Sequence, residues 1–291
     1  MGPLNTRYVV ISPVRDEEPF LTDTIACMIA QTVRPLQWII VDDGSTDATG
    51  RIIDEHAARH PWITAVHCEN RGFRKAGGGV VDAFNAGYAA LTPEKWDFIV
   101  KLDGDLSFAN DYFERCFEEF ASEPHLGIAG GVICHVIDGK EQVEACPAFH
   151  VRGATKIYRE ECWNAIGGFW PAPGWDTMDE VKASMLGWTT RSLPELHLNH
   201  HRATGTSEGL WKGLVKNGRA NYICGYHPLF MFSKCLRRFF RKPYVYGSTA
   251  LMYGFLSGYW KRIPQVDDPR TIKYLRRQQL GRLAGRETIW K

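Results

Sequence analysis

The chain has 291 residues, of which 44% are hydrophobic, enough to pack one large α/β domain or two smaller ones. Its formal net charge is only +2, but residues 205–291 carry 17 Lys and Arg against 4 Asp and Glu. This basic tail on an acidic body predicts contact with an anionic partner. The eight cysteines include no CxxC pair, which argues against a zinc knuckle or a secreted disulfide framework.

The first half alternates β-branched runs with amphipathic stretches, which is typical of βαβ units and a mostly parallel sheet. We predict strands at 7–12, 37–43, 63–68 and 97–103, and helices near 18–32, 46–59, 76–91 and 110–122. Ser45 or Thr46 is expected to cap the second helix. After residue 125 we predict two or three strands, helices near 159–166 and 177–187, and a strand at 189–194. Beyond residue 205 the chain is expected to be helical.

Polar segments follow the first four predicted strands: SPVRDEE, DDGSTD, ENRGFRKAGGG and DGD. In an open α/β sheet, ligands bind at the carboxyl ends of the strands. The four segments are therefore expected to border one crevice.

The fourth segment contains two carboxylates, Asp103 and Asp105, on either side of Gly104. Oxygen ligands of this kind suit Mg²⁺ or Mn²⁺, and a glycine permits a tight turn. A solvated turn is the simpler alternative for this short motif, but its place beside three other polar strand ends favours a metal site.

Two further segments have the chemistry to bind a nucleotide. One of the carboxylates of Asp42 and Asp43 can accept from a base or a ribose, while the other holds the turn. Arg71, Arg74 and Lys75 are candidates for cationic contacts to phosphates or base, the alternative being a solvated loop.

Together these segments resemble the family 2 glycosyltransferases of the GT-A fold, over roughly residues 7–205. The resemblance rests on VVISPVRDEE, VDDGSTD, the run Asn70, Gly72, Ala83, Asn85 and Gly87, the DGD motif, and GGFW before an acidic helix. It implies a Rossmann-like mixed sheet flanked by helices, with the basic helical region as an extension. We therefore expect a GT-A domain at 1–204 and an extension at 205–291.

The resemblance also implies an activity and its residues. Such enzymes transfer a sugar from a nucleoside diphosphate donor, commonly UDP-linked, with inversion at the anomeric carbon. Pro13, Arg15 and Glu17 would line the nucleotide pocket, and Asp43 would contact the base. Asp103 and Asp105 would flank the ribose, the metal and the diphosphate.

An inverting transfer needs a base for the acceptor hydroxyl, and the segment GWDTMDEVKASMLGW offers Asp176, Asp179 and Glu180. The family places a glycine eleven residues after its catalytic Asp, and Gly187 stands in that relation to Asp176. However, the preceding residue is Trp175 where the family has Glu, so Asp179 and Glu180 remain competitors. Asp176 is also a good residue to cap the helix.

The segment HLNHHR ends the next predicted strand. One of its histidines, His200 or His201, is expected to complete the metal site or to touch the diphosphate, as in some GT-A enzymes. A structural histidine is the expected reading for the other.

The basic tail contains an uncharged stretch, residues 244–260, with basic residues on both sides. Its aromatic residues and glycines favour a segment lying in a membrane interface, and the alternative is a dimerisation or core helix. Nucleic acid is not expected as a partner, because no nucleic-acid-binding fold is recognised.

The sequence thus predicts a metal-dependent inverting glycosyltransferase that uses a nucleotide sugar and a lipid-linked or polysaccharide acceptor. No secretory signal is seen, so we expect a cytoplasmic protein at the inner face of the cell membrane, and a homo-oligomer is a further expectation. A nucleotidyltransferase is one alternative, although it would need a Gly-rich, Lys/Arg-containing loop where this chain has SPVRDEE. The other is a non-catalytic sugar-nucleotide-binding protein, which the intact acidic triplet disfavours.

Overall fold

The computed structural model describes residues 6–72, 78–137, 140–144, 146–202, 209–240 and 243–290. Its centre is a mixed β-sheet. The strands are β1 (Tyr8–Val14), β2 (Gln37–Asp42), β3 (Ile63–His67), β4 (Phe98–Leu102), β5 (Leu106–Phe108), β6 (Leu126–Ile137), β7 (Lys140–Val143), β8 (Thr155–Arg159) and β9 (Thr189–His200). The four strands predicted in the first half are confirmed within two residues at each end.

The strand order is β3-β2-β1-β4-β8-β6-β9-β5, with β7 paired to β6. Strands β1 to β4 run parallel to one another, whereas β8 is antiparallel to β4. Beyond it, β9 runs parallel to β6, and β5 pairs antiparallel with the end of β9. The carboxyl end of β4 and the carboxyl end of β9 are therefore joined by the short strand β5.

Helices cover both faces of the sheet. They are α1 (Leu21–Ile29), α2 (Thr49–Arg59), α3 (Gly78–Ala89), α4 (Tyr112–Ser122), α5 (Glu160–Ile166) and α6 (Trp175–Met185). One apolar cluster joins α1, α2 and α4 to the sheet, and a second joins α3, α5 and α6 to its other face. Because both faces are covered, the central strands are largely apolar, and every residue of β4, including Lys101, is buried.

The predicted cap of α2 is wrong. The helix begins at Thr49, so Ser45 and Thr46 lie in the preceding turn. The Asp47 carboxylate accepts from the Thr49 amide at 3.0 Å, and the Ser45 hydroxyl instead accepts from the amide of Asp16 at 3.0 Å. The turn is thus tied to the loop after β1, a long-range contact that local spacing does not reveal.

Four helices follow the sheet: α7 (Leu210–Ile223), α8 (Pro228–Phe239), α9 (Tyr244–Trp260) and α10 (Pro269–Leu283). They share an apolar cluster with Met178 and Val181 of α6, so the extension packs on the helix that carries the acidic triplet. The division of the chain at residue 204 remains a prediction. None of the helices in the described ranges is both long and apolar enough to cross a membrane.

Candidate active site

The ends of β4, β5 and β9 bring together three side chains that suit a metal ion. Asp103 follows β4, Asp105 precedes β5, and His200 ends β9. One ligand atom from each lies within 4.8 Å of the other two. Two carboxylate oxygens and an imidazole nitrogen are a fitting donor set for Mn²⁺, and the carboxylates also suit Mg²⁺.

Strand register selects between the two predicted histidines. In the β5–β9 pair, His200 lies opposite Leu106, and its Nε2 is 3.1 Å from Asp105 Oδ2. Successive side chains of a strand point to opposite faces. The ring of His201 accordingly stacks on Phe20, with centroids 6.0 Å apart. The structure brings His200, and not His201, to the two carboxylates.

The His200–Asp105 pair is electrostatically matched. Burial alone would lower the pKa of His200, but the hydrogen bond and the charge of Asp105 outweigh it and raise that pKa. Burial alone would raise the pKa of Asp105, but His200 and Arg202 outweigh it and lower that pKa. The Asp105 carboxylate is therefore held in its charged form, the form that binds a cation.

The glycine of the DGD motif is required by packing. A Cβ on Gly104 would lie 2.5 Å from Val14 Cγ1 and 3.3 Å from Leu21 Cδ1. The loop after β4 therefore lies directly on β1 and α1, and we expect even a methyl group to force them apart. Close approach, more than a tight turn, accounts for this glycine.

Two cations that the sequence analysis did not select border the metal group. The first is Lys101, a buried residue of β4 whose Nζ contacts Asp103 Oδ1 and donates to the Gly153 carbonyl at 2.5 Å. A lysine in the otherwise apolar strand DFIVKLD was a usable signal, since a buried ammonium needs partners.

The second cation is Arg202, two residues beyond His200. Its Nη2 donates to the Asp16 carbonyl and to Glu17 Oε2, both at 2.8 Å, and its Nε is 3.9 Å from Asp105 Oδ2. The guanidinium also lies over the Phe20 ring, 5.8 Å from its centroid. Glu17, a predicted donor residue, thus orients a cation at the edge of the metal group.

Asp43 is held by two arginines at the ends of β1, β2 and β3. Arg15 donates to the Asp43 carbonyl at 3.0 Å and to Asn70 Oδ1 at 3.1 Å. Arg71 donates to the Asp43 carboxylate at 2.7 and 2.5 Å. Burial raises the pKa of Asp43, although both arginines oppose the shift. The structure therefore brings Arg15, Asp43 and Arg71 into one cluster.

The structure describes two of the remaining donor-side candidates, Pro13 and Asp42. Pro13 is half-buried near the end of β1. Asp42 accepts from the Ser45 amide at 2.8 Å and so holds the turn after β2. Arg74 and Lys75 lie outside the described residues.

Two members of the acidic triplet are fully buried and tightly bound. Asp179 accepts from Lys156 Nζ at 2.9 and 2.8 Å and from the Tyr158 hydroxyl at 2.5 Å. Glu180 lies 2.9 Å from the same Nζ, and it is also bonded to His150 Nδ1 at 2.8 Å. One buried lysine thus stands between two buried carboxylates.

The charges of this cluster depend on one another. Burial raises the pKa of Asp179 to about 6, although Lys156 opposes the shift. Burial would lower the pKa of Lys156, but Asp179 and Glu180 outweigh it and raise that pKa. Burial would also lower the pKa of His150, and Glu180 likewise reverses the shift. Both basic groups therefore favour their charged forms.

Asp176 differs from its two neighbours. It is half-buried in the first turn of α6, and within the described residues its carboxylate makes no hydrogen bond or ion pair. It is not the predicted helix cap, because α6 begins at Trp175 and its N-cap is Gly174, in a left-handed conformation with φ +91°. Asp176 therefore keeps a carboxylate available to a ligand.

The backbone of Gly153 lies beside Asp176 on one side and beside Lys101, a neighbour of the metal group, on the other. A Cβ on Gly153 would lie 3.4 Å from Asp176 Cβ, while its carbonyl accepts from Lys101, the partner of Asp103. The Trp175 ring lies between two buried ammonium groups, 5.8 Å from Lys101 Nζ and 5.7 Å from Lys156 Nζ. Trp175, which replaces the family's Glu, is thus a buried cation–π partner between the metal side and the acidic side.

The architecture and this site define a glycosyltransferase of the GT-A fold. A mannosyltransferase from Pyrobaculum calidifontis, solved with GDP-Man and Mn²⁺, superposes with a TM-score of 0.58 at 16% identity, covering 98% of this chain and 77% of that one. TarS 1-349 of S. aureus, solved with UDP, gives a TM-score of 0.53 at 14% identity, covering 88% and 72%. The predicted fold class is confirmed.

The chain belongs to glycosyl transferase family 2, whose family model matches residues 9–171. It is 31% identical over 121 residues to the uncharacterized glycosyltransferase EpsJ of Bacillus subtilis, covering 42% of this chain and 32% of that protein. It is 30% identical over 182 residues to chondroitin synthase of Escherichia coli, covering 57% and 24%. The matches thus span about a third or less of these relatives. Membership of this family favours a glycosyltransferase over the two alternatives, a nucleotidyltransferase and a non-catalytic sugar-nucleotide-binding protein.

Proposed function

We propose that this enzyme is a metal-dependent, inverting glycosyltransferase acting on a nucleoside diphosphate sugar. The observation that carries the proposal is the group of Asp103, Asp105 and His200, with the available carboxylate of Asp176 nearby across Gly153. Asp103, Asp105 and His200 would hold Mn²⁺ or Mg²⁺. The metal would act as a Lewis acid and stabilise the negative charge of the departing diphosphate. The mannosyltransferase solved with GDP-Man and Mn²⁺ supports this assignment.

The donor would lie along the strand ends. Arg202 lies beside Asp105 and supplies a positive charge close to the phosphates, a second means of stabilising the leaving group. The cluster of Arg15, Asp43 and Arg71 would face the nucleoside, with Pro13 and Glu17 beside it. Gly104 would allow the loop carrying both carboxylates to stay close to β1.

Asp176 is the proposed base. It would take the proton of the acceptor hydroxyl as that oxygen attacks the anomeric carbon and the bond from this carbon to the phosphate oxygen breaks. Attack opposite the leaving group inverts the anomeric centre. Asp179 and Glu180 are less suited, because both are fully buried and already bound to Lys156.

A UDP-linked sugar is the favoured donor, and a lipid-linked or polysaccharide hydroxyl the favoured acceptor. TarS has been solved with UDP-GlcNAc, and chondroitin synthase is among the relatives, which supports both parts of this choice. The basic charge of the extension supports a cytoplasmic enzyme at the inner face of an anionic membrane. A homo-oligomer is compatible with this location.

The test is a panel of UDP-, GDP- and dTDP-sugars, each measured for thermal stabilisation with and without Mn²⁺. We expect a metal-dependent rise in melting temperature with at least one donor, since a ligand that binds only the folded state stabilises it. His200→Ala should abolish the metal-dependent part, whereas the matched control His201→Ala should keep it. The proposal is rejected if no donor gives a metal-dependent shift.

A further inference from the structure

Helix α8 carries an apolar face that the described part of the chain leaves exposed. Its inner side buries Met231 and Cys235 against the other helices. A row of large apolar side chains, the α8 stripe, recurs every three or four residues on the solvent side: Leu229, Phe232, Leu236 and Phe239. Phe232 is 61% exposed. Such a contiguous row on a protein surface marks a contact site more often than chance exposure.

The neighbouring helix α9 repeats the pattern. Tyr246, Tyr253, Leu256 and Trp260 lie on its outer side, and Trp260 is 83% exposed. Its inner side is buried, mainly through small residues such as Gly254 that let the backbone of α7 come close. Tyr246 and Tyr253 also contact the Trp211 ring of α7, with centroids 4.9 and 6.5 Å apart, so these two help to pack the helices together.

A hydrogen bond ties the two helices to each other. Ser248 Oγ donates to the Cys235 carbonyl at 2.6 Å, and Gly247 lies against Arg238. The α8 stripe is thus held on a packed helical unit. It would be presented to a partner without any refolding of the extension.

The charge around these helices identifies the chemistry of the partner. Residues 209–266 contain no Asp or Glu but ten Lys and Arg. Lys234 and Arg237 are exposed on α8 itself, and Lys261 and Arg262 follow α9. A second copy that met this one through the same helices would bring like charges together, whereas an anionic surface would be complementary.

We infer that the α8 stripe docks this enzyme on an anionic lipid bilayer, with α8 lying in the plane of the interface. Apolar side chains would enter the acyl boundary while the flanking Lys and Arg meet lipid headgroups, the usual arrangement of an amphipathic interfacial helix. The prediction from sequence placed this role on residues 244–260, but the structure shows one side of that helix to be core. The inference rests on the proposed membrane contact and is independent of the donor chemistry.

The test is sedimentation of the full chain with vesicles of phosphatidylcholine, alone or mixed with phosphatidylglycerol. We expect binding to the mixed vesicles that weakens as salt is raised, because salt screens charges beyond about 10 Å at about 0.1 M. Arg237→Glu should weaken partitioning at least about fivefold. The double change Phe232→Ser and Leu236→Ser should weaken it by more than about tenfold.

Matched controls keep the result interpretable. Leu36→Ser removes an apolar side chain of similar exposure far from α8, and Lys95→Glu reverses an exposed charge in the sheet domain. Both should bind vesicles like the unaltered chain. All of the altered side chains are exposed, so the folded state should survive, which thermal unfolding would verify.

Three outcomes would overturn the inference: equal binding to neutral vesicles, no binding to either kind, or a stable dimer that only the double variant dissociates. Donor-dependent thermal stabilisation is measured on the same samples. If it persists while vesicle binding fails, only the docking inference falls. If it fails while vesicle binding holds, only the proposed transfer reaction falls.

Discussion

Replacing Lys156 by Met removes the positive charge at the centre of the acidic cluster while keeping a side chain of similar length. In the intact protein the Lys156 ammonium lies 2.8 Å from Asp179 and 2.9 Å from Glu180, and all three side chains are fully buried. It also donates to the Asp176 carbonyl at 2.6 Å. The substitution leaves two buried carboxylates, of which Glu180 keeps its bond to His150.

The expected cost follows from these contacts. Breaking a buried ion pair by removing one partner typically lowers the free energy of unfolding by about 3–5 kcal/mol. Because the pKa of Asp179 is already raised to about 6, a proton can replace the lost charge at low pH. We therefore expect Lys156→Met to lower the free energy of unfolding by the full amount near pH 8 and by less near pH 5. The two losses should differ by about 1.4 kcal/mol for each unit by which the substitution raises the pKa of Asp179 further.

Urea unfolding at the two pH values measures both effects. The control is Lys182→Met on α6, the helix that carries Asp179 and Glu180, since Lys182 is partly exposed and lies 3.7 Å from Asp268. Lys182→Met should lower the free energy of unfolding by no more than about 1 kcal/mol, as expected for a surface ion pair. Equal losses for the two variants, or a Lys156→Met loss that does not change with pH, would refute the account of this cluster.

Three further predictions concern single residues. Asp176→Asn should retain donor-dependent thermal stabilisation but lose transfer by about 10²–10⁴-fold in a product assay; if Glu180→Gln does this instead, the base has been misassigned. The raised pKa of His150 gives stability that is present below about pH 6.5 and lost as pH rises through that pKa, so His150→Gln should flatten the pH dependence of urea unfolding on the alkaline side; parallel curves would contradict this. Gly104→Ala should lower the free energy of unfolding by about 1–3 kcal/mol, because its Cβ would overlap Val14; an unchanged unfolding midpoint would show that the loop yields freely.

Much of the fold could be predicted because its signals are local. Each strand of the first half is a short β-branched run, and each is followed by polar residues at the end where ligands bind in such sheets. The placement of Asp103 and Asp105 at a strand end needed no tertiary information. Helix starts were less accurate, as α2 shows, because its first turn is set by contacts with the loop after β1.

Parts of the site could not be predicted because they depend on strand pairing between distant segments. His200 reaches Asp105 only through the β5–β9 register, across 95 residues of sequence. A shift of one residue would present His201 instead. Lys156 was likewise missed, since its partners lie on α6, twenty or more residues away.

The sequence by itself determined the first four strands and the helices between them, the carboxylates at the strand ends and the basic charge of the extension. These features depend on side-chain type and short-range spacing, which the chain carries in any conformation. Only the tertiary structure decided that His200 joins the metal group and that Asp179 and Glu180 share an ion pair with Lys156. It likewise decided that α8, beside the uncharged helix α9, carries the exposed apolar stripe. The physical reason is the same in each case: pairing and burial are properties of segments that meet only after folding.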